Sequence, residues 1–309
     1  MDASITHKNP LPFDPAALKG LSERLIKSHY ENNYGGAVRR LNAIRARLAA
    51  LPWPDAPLFE VNGLKREELI AANSMVLHEL YFASLGGTGE LQAGGKTAGL
   101  EVGLKRDFGS IERWRAQFTT LGSALGGGSG WALLSWSARE QRLINHWAAD
   151  HTHLLAGATP LLALDMYEHA YHMDYGADAK AYVAAFMANI DWDAVALRYA
   201  VAVKASAGRL AARADEVAAS AAKRIDVRRQ GAYESANDLI EGAEWRDPER
   251  VDEWAREYAQ QEVVVYCVYG HEVGQSTAAR LRNAGVAARF LAGGIEDWKK
   301  AGRPIAPKR

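Results

Sequence analysis

The stretch ALDMYEHAYHMDY, residues 163–175, contains carboxylates and imidazoles, the side chains that most often bind metal ions or move protons. Asp165 and His169 are four residues apart, and Glu168 lies between them. If the stretch is a helix, residues i and i+4 share one face, so this carboxylate and imidazole can converge on one point. Two interpretations remain open at this stage: a polar face of a surface helix, or half of a metal site.

Two other histidines lie in segments with a helical pattern. His29 lies in RLIKSHYENN, and His78 lies in MVLHELYF, where apolar neighbours on several sides predict a buried helix. A buried imidazole needs a partner for both of its nitrogen atoms, and a metal ion is one such partner. Three imidazoles and one carboxylate with an open coordination position would suit a redox-active metal such as iron or manganese.

The segments that must position these residues predict a mixture of helices and strands. Apolar residues between positions 15 and 50 recur at mostly three-to-four spacing, and a second helical pattern covers roughly residues 65–85. Two β-like runs flank the polar segment SARE near residue 138, which is typical of a hairpin. The alanine-rich residues 204–222 predict a helix, either a linker helix or the first helix of a new domain. Short β-branched runs then alternate with helical stretches, which indicates a small α/β domain with a parallel sheet.

The composition is typical of a globular protein. The chain has 309 residues, enough for two to three domains, and its 37 basic and 37 acidic side chains balance. This balance gives no support for nucleic acid or an anionic membrane as a bulk partner. No apolar run approaches the roughly 20 residues of a membrane-spanning helix, and the amino terminus lacks the pattern of a secretory signal. Cys267 is the only cysteine, which excludes an internal disulfide, so we expect a cytoplasmic protein.

Residues 10 to about 200 resemble the iron/manganese superoxide dismutase family. The resemblance rests on LPFDPAAL, RDFGSIERWRAQF, GSGWALLSW, PLLALDMYEHAYHMDY and YVAAFMANIDWDAV. By position, it implies that His29, His78, Asp165 and His169 form a redox centre that holds one iron or manganese ion per subunit. The implied fold class is α+β, with a helical hairpin domain over residues 1–90 and an α/β domain with a small antiparallel sheet over residues 91–203.

The same resemblance implies an activity and an assembly. Superoxide would be the substrate, and ping-pong redox chemistry would convert it to dioxygen and hydrogen peroxide. The family also implies a homodimer or a higher homo-oligomer. Glu168 would not bind the metal; it would reach across the subunit interface to a metal-binding histidine of the other copy.

Outside the four ligands, several positions depart from the pattern of the family. The usual gateway tyrosine falls on Ala37, and the histidine four residues after the first ligand falls on Asn33. Tyr34 lies nearby, but its angle along a regular helix differs from that of the gateway position. In the family pattern EHAYY, Tyr171 keeps the first tyrosine and His172 replaces the second. We expect these side chains beside the site, where they would rebuild proton delivery.

A glutamine that usually contacts solvent at the metal is also missing. Counted without gaps, its two usual places are Ser74 and Ala149. Some members use a histidine from the loop before the aspartate, and DHTHLLAG offers His151 and His153, of which we favour His151. These departures leave an alternative open, a metal-binding sensor with poor dismutase activity.

The lone thiol of Cys267 follows the β-run VVVY and precedes a loop and a helix. A thiol at the carboxyl end of a parallel strand, against a helix N-terminus, is expected to have a lowered pKa and to act as a nucleophile; the alternative is a small buried apolar side chain. Residues 223–309 resemble a rhodanese-like domain through IDVRRQGAYE, VVVYCVYGHEVGQSTAARLRNAGV and FLAGGIEDWKKAGRPI. The resemblance implies a persulfide on Cys267 and a role in sensing or sulfur handling, or sulfurtransfer as the main function. Glu272 occupies the place of the arginine of most active members.

Overall fold

The computed structural model describes residues 5–207 and 210–308. The chain divides into two compact units. The first unit comprises Met1–Thr97, Phe108–Ser135 and Ile144–Val195, and the second comprises Ala98–Asp107, Trp136–Leu143 and Ala196–Arg309. Among the described residues, no helix is both long enough and apolar enough to cross a membrane.

Helices dominate the part of the chain before residue 208, with one short sheet among them. The helices are α1 (Glu23–Ser28), a π-helix (His29–Tyr34), α2 (Gly35–Ala49), α3 (Leu58–Phe82), α4 (Ala98–Phe108), α5 (Ile111–Ala124), α6 (His172–Tyr175), α7 (Ala179–Met187) and α8 (Trp192–Ala207). Short 3₁₀ turns cover Pro15–Ala17, Gly95–Thr97 and Glu168–Ala170. The strands are β1 (Trp131–Ser137), β2 (Arg142–Ala148) and β3 (Ala158–Asp165).

The helical hairpin and the sheet hold the segments that matter for function. α2 and α3 pack through a buried cluster around Leu41, Ile44 and Ala71. The predicted start of α3 near residue 65 is wrong by about two turns, because Pro57 at the N-cap starts the helix at Leu58. The sheet has the order β2–β1–β3, which confirms the predicted hairpin. β3 is buried over its last five residues and ends at Asp165.

The remaining chain forms an α/β domain. The helices are α9 (Ala214–Ala219), α10 (Gln230–Glu234), α11 (Val251–Trp254), α12 (Glu272–Asn283) and α13 (Gly294–Lys300), with 3₁₀ turns at Pro248–Arg250 and Ala255–Tyr258. The strands are β4 (Ala211–Ala212), β5 (Lys223–Asp226), β6 (Asp238–Ile240), β7 (Glu244–Trp245), β8 (Glu262–Tyr266), β9 (Ala287–Leu291) and β10 (Ile305–Pro307).

A parallel five-stranded sheet with the order β4–β9–β8–β5–β7 organises this domain. Alternate residues of β8 face opposite cores: Val263 and Val265 pack on one side, and Val264 and Tyr266 on the other. β10 and β6 pair as a separate antiparallel ribbon. The predicted fold class, an α+β dismutase-like part followed by a small α/β rhodanese-like domain, is confirmed.

The prediction of one continuous helix over residues 204–222 is wrong. Within those residues the structure places the end of α8, the short strand β4 and the six-residue helix α9. β4 pairs with β9, so Ala211 and Ala212 belong to the parallel sheet. Helix propensity is a weak prior, and tertiary pairing overrides it here.

Candidate functional site

The predicted ligands lie on four separate elements of the first unit. His29 begins the π-helix, and His78 lies near the end of α3. Asp165 is the last residue of β3, and His169 lies in the 3₁₀ turn that follows. A helix over the whole of residues 163–175 is therefore not formed, and only the last four residues, His172–Tyr175, belong to the helix α6. A strand end and a tight turn bring Asp165 and His169 together instead of one helix face.

The metal-binding atoms of these four residues all lie within 4.8 Å of one another. The three imidazoles point their Nε2 atoms at one oxygen, Asp165 Oδ2: the distances are 3.1 Å for His29, 3.2 Å for His169 and 3.5 Å for His78. His29, His78 and Asp165 are buried, while the side chain of His169 is partly exposed. The site therefore consists of four groups that can each donate an electron pair to a metal ion, and they approach one another from different directions.

Hydrogen bonding fixes the tautomer of His78. Its Nδ1 lies 2.7 Å from the carbonyl oxygen of Ser74. A carbonyl only accepts hydrogen bonds, so Nδ1 carries the proton and Nε2 carries a lone pair. That Nε2 is buried, has no hydrogen-bond partner among the described residues and faces the carboxylate of Asp165 at 3.5 Å. Two electron-pair donors that face each other in a buried site need a cation between them.

Charge states in the cluster agree with metal binding, which requires neutral imidazoles and an ionised carboxylate. Burial lowers the pKa of His78 to about 3 and also lowers the pKa of His29. Burial alone would raise the pKa of the Asp165 carboxyl, but the neighbouring His169 and His29 hold it well below its ordinary value. The backbone N–H of Tyr167 donates to Asp165 Oδ1 at 2.9 Å and fixes the carboxylate plane.

His151, the predicted substitute for the missing glutamine, is linked to the predicted ligand His169 through the ring of Tyr167. Its ring centroid is 6.1 Å from that of His78, and the ring stacks on Tyr167, which in turn stacks on His169. The indole N–H of Trp131 donates to His151 Nδ1 at 3.0 Å. Because an indole only donates, Nδ1 must accept, and the proton of the neutral ring is on Nε2. Burial lowers the pKa of His151, which favours that neutral form.

The other residues predicted beside the site differ in burial and in the groups they contact. Tyr34 is buried and stacks parallel to His78 with ring centroids 6.4 Å apart, and burial raises the pKa of its hydroxyl. Glu168 is exposed, one residue before His169. Tyr171 is buried against Tyr182, whose hydroxyl donates to the backbone oxygen of the aspartate ligand at 2.7 Å. His172 is exposed at the start of α6.

The comparisons with known proteins agree with this geometry. Residues 96–198 match the model of the C-terminal domain of iron/manganese superoxide dismutases. The chain is 65% identical over 195 residues to an iron superoxide dismutase of Cupriavidus metallidurans, which covers 63% of this chain and 96% of that relative. The chain belongs to the iron/manganese superoxide dismutase family. It is also 35% identical over 199 residues to an iron superoxide dismutase of Aquifex pyrophilus, covering 62% of this chain and 90% of the relative.

Manganese relatives match as well, so membership of the family does not choose the metal. A manganese superoxide dismutase of Halobacterium salinarum is 33% identical over 186 residues, which cover 60% of this chain and 90% of the relative. Two residues near the site in this family member escaped the sequence analysis. Trp131 orients His151, and Glu79 accepts a hydrogen bond from Tyr34. The motif GSGWALLSW and the place of Glu79 next to a predicted ligand were the available signals.

Beyond the dismutase part, residues 206–301 match the model of the rhodanese-like domain. Cys267 follows β8 and precedes the loop that leads into α12, and its side chain is only 6% exposed. The predicted lowering of its pKa is wrong. Burial raises the pKa of the thiol, although hydrogen bonds from the backbone N–H groups of Gly274, His271, Gly270 and Tyr269 act in the opposite direction. Desolvation of the sulfur outweighs the local dipoles.

Glu272, which occupies the place of the arginine of most active members, has a partner of its own. Its carboxylate forms an ion pair with Arg229 at 3.3 Å. The same side chain packs against Gly99, where an added Cβ would lie 3.0 Å from it. The acid is therefore tied to neighbours other than the thiol of Cys267.

Proposed function

We propose that this chain is a metal-dependent superoxide dismutase that holds one iron or manganese ion between His29, His78, Asp165 and His169. The observation that carries the proposal is the buried Nε2 lone pair of His78, which faces the ionised carboxylate of Asp165 without a donor between them. When bound, the metal would supply reversible one-electron redox chemistry, by which superoxide becomes dioxygen and hydrogen peroxide. The identity with a protein named as an iron superoxide dismutase favours this function over a sensor without turnover.

The residues of the chain would divide the work between holding the ion and supplying protons. Ser74 fixes the His78 tautomer through its carbonyl, so the ring presents a lone pair without reorganisation. Asp165 stays ionised and contributes the negative charge of the site. His151 keeps a proton on Nε2 because Trp131 occupies Nδ1, and we assign it the role of proton donor in place of the missing glutamine.

Loading the purified protein separately with iron and with manganese tests this function. Elemental analysis should give close to one ion per chain, and the loaded protein should accelerate superoxide decay. Comparison of the two loaded forms would identify the active metal. Decay no faster than with the same concentration of free metal would refute the dismutase assignment.

We also propose a homodimeric assembly and a cytoplasmic location. Glu168 supports the assembly, because it is exposed yet directly precedes His169, as expected for a carboxylate that pairs with a ligand of a second copy. The cysteine count of one supports a reducing compartment, because secreted proteins more often carry sets of paired cysteines. Sedimentation velocity of the metal-loaded protein should give twice the chain mass, and a monomer would contradict the assembly.

We place the start of the rhodanese-like domain earlier than the predicted residue 223. β4 belongs to its parallel sheet, and the matched family model begins at residue 206. The dismutase part then extends to the end of α8 at Ala207. Limited proteolysis should spare residues 211–222, and rapid cleavage there would favour a linker instead.

For the rhodanese-like domain we propose sulfur handling through Cys267, with the thiol as persulfide carrier. The backbone N–H groups around the sulfur support this role, since they would stabilise negative charge there. Sulfur transfer from thiosulfate to cyanide should fall to background in Cys267→Ser. Transfer that is unchanged in Cys267→Ser would exclude the role.

A further inference from the structure

The π-helix gives Tyr34 a place that its sequence position does not suggest. In a π-helix the hydrogen bond spans five residues, so residue i+5 comes close to the side occupied by residue i. His29 and Tyr34 are such a pair, and both of their rings contact Phe82 and His78. On a regular α-helix, a five-residue step would turn Tyr34 well away from His29.

The hydroxyl of Tyr34 is held from two directions. It donates to Glu79 Oε1 at 2.9 Å, and it accepts from the backbone N–H of Asn9 at 2.8 Å. The residue is only 1% exposed. Both hydrogen bonds compete with any hydrogen bond to solvent, so the phenol is committed to the protein. This distinguishes it from a proton relay such as the one assigned to His151.

The ring of Tyr34 faces the predicted ligand His78, while its hydroxyl is held by neighbouring residues. Its ring lies nearly parallel to His78, with an interplanar angle of 16°, and its hydroxyl is anchored by Glu79, the next residue of α3. Trp131 also contacts His78, with the two rings nearly perpendicular and their centroids 5.3 Å apart. Rotation of the His78 ring would therefore bring it against the ring of Tyr34, whose hydroxyl is held in place by two hydrogen bonds.

We propose that Tyr34 and Glu79 are positioning residues that, together with the Asn9 backbone, hold the ring plane of His78 in its metal-binding orientation. The proposal rests on the proposed metal site. In this chain Ala37 takes the place of the gateway tyrosine of the family, and Tyr34 and Glu79 have the separate role of positioning His78. The ring acts by contact, and its hydroxyl acts as the anchor. Tyr34→Phe keeps the ring but removes the anchor, so it separates the two contributions.

The experiment uses the full-length metal-loaded protein and follows metal loss to a chelator together with the visible absorption spectrum. Substitution of a residue that orients a metal ligand from outside typically costs about 10–100-fold in metal affinity or activity. Tyr34→Phe removes the anchor of the ring and should therefore release metal about 10-fold faster and shift the spectrum. Glu79→Leu should give the same shift. Glu79→Gln keeps an acceptor and should restore the parental spectrum.

Two further variants separate positioning from general stability. Tyr233→Phe removes a hydroxyl from the rhodanese-like domain, where the ring stacks on Trp245, and should leave spectrum and release unchanged. Asn9→Pro removes the N–H donor and also restricts the backbone of residues 8 and 9, whereas Asn9→Ala keeps the donor; only the former should accelerate release. If Tyr34→Phe and Glu79→Leu lower the melting temperature but leave both readouts unchanged, the positioning role is overturned. Parental protein that retains no metal would instead refute the proposed function itself.

Discussion

The four-donor cluster and the Cys267 loop place charged or ionisable groups in buried surroundings by opposite means. The cluster uses side chains from four distant segments, and Asp165 is ionised despite complete burial because imidazoles surround it. The loop uses backbone N–H groups from one short stretch, and they fail to offset the burial of the sulfur. Side chains thus determine the first site, whereas backbone geometry determines the second. Substitutions should therefore damage the two sites in different ways.

The largest effect should come from removing the shared carboxylate. Asp165→Ala leaves three imidazoles around a cavity without the negative charge that balances a cation. We expect loss of bound metal and an activity more than about 100-fold lower, since even outer-residue changes can approach that magnitude. The exposed Asp55→Ala is the matched control and should keep both. Full metal occupancy of Asp165→Ala by elemental analysis would contradict the assignment.

At the Cys267 loop, a substitution that disturbs the backbone should have a greater effect than one that changes only a side chain. Gly270 has a φ of +67°, and an added Cβ would lie 2.6 Å from the backbone atoms Gly293 N and Leu291 O. Gly270→Ala should lower the unfolding free energy of this domain by about 2 kcal/mol or more, because strain and a rigid clash combine. Urea unfolding provides the measurement. Gly285 has a φ of +85°, but an added Cβ would meet no atom within 4 Å. Gly285→Ala should therefore lower the unfolding free energy by about 1 kcal/mol. Equal costs for the two variants would show that the clash is relieved.

The sequence was sufficient to select the side chains of the first site but not the way they converge. His29, His78, Asp165 and His169 could be chosen from residue type, helical background and family pattern. The reason given for the Asp165–His169 pair was wrong, because a strand end and a 3₁₀ turn replace the expected helix. Spacing of four is compatible with either local structure, and the choice depends on pairing of β3 with β1, which is a tertiary contact.

Two other features could not be read from local patterns. The π-helix at His29–Tyr34 adds a backbone hydrogen-bond register that apolar periodicity does not encode, so the angle expected for Tyr34 was that of a regular helix. The pKa of Cys267 depends on how completely the domain buries the sulfur. Position after a strand and before a helix predicts the N–H groups, but the larger desolvation effect is known only once the core is assembled.

A smaller effect should follow from Trp131, which acts on the metal site through another residue. Trp131→Phe removes the N–H that occupies His151 Nδ1, so the proton of the neutral ring can move between both nitrogens. We expect dismutation to fall about 10-fold with metal content unchanged, in the range typical of outer hydrogen-bond partners. Trp147→Phe, at a tryptophan that is 53% exposed, should leave the rate unchanged. A Trp131→Phe variant with parental activity would exclude this tautomer control.

The smallest effect should appear in the pH dependence of the Cys267 domain. A thiol whose pKa is raised by folding keeps its proton longer in the folded state than in the unfolded state. Its contribution to stability is then complete below the ordinary thiol pKa of about 8.5 and is lost as the pH rises above it. Urea unfolding between neutral and alkaline pH should show a steeper loss for the parental protein than for Cys267→Ala. Alkylation of the native thiol should also be slower than in urea, because the thiolate is the reactive form. If the backbone N–H groups instead outweigh burial, the trends in stability and in alkylation rate both reverse. The loop would then stabilise the Cys267 thiolate as the four-donor cluster stabilises the Asp165 carboxylate.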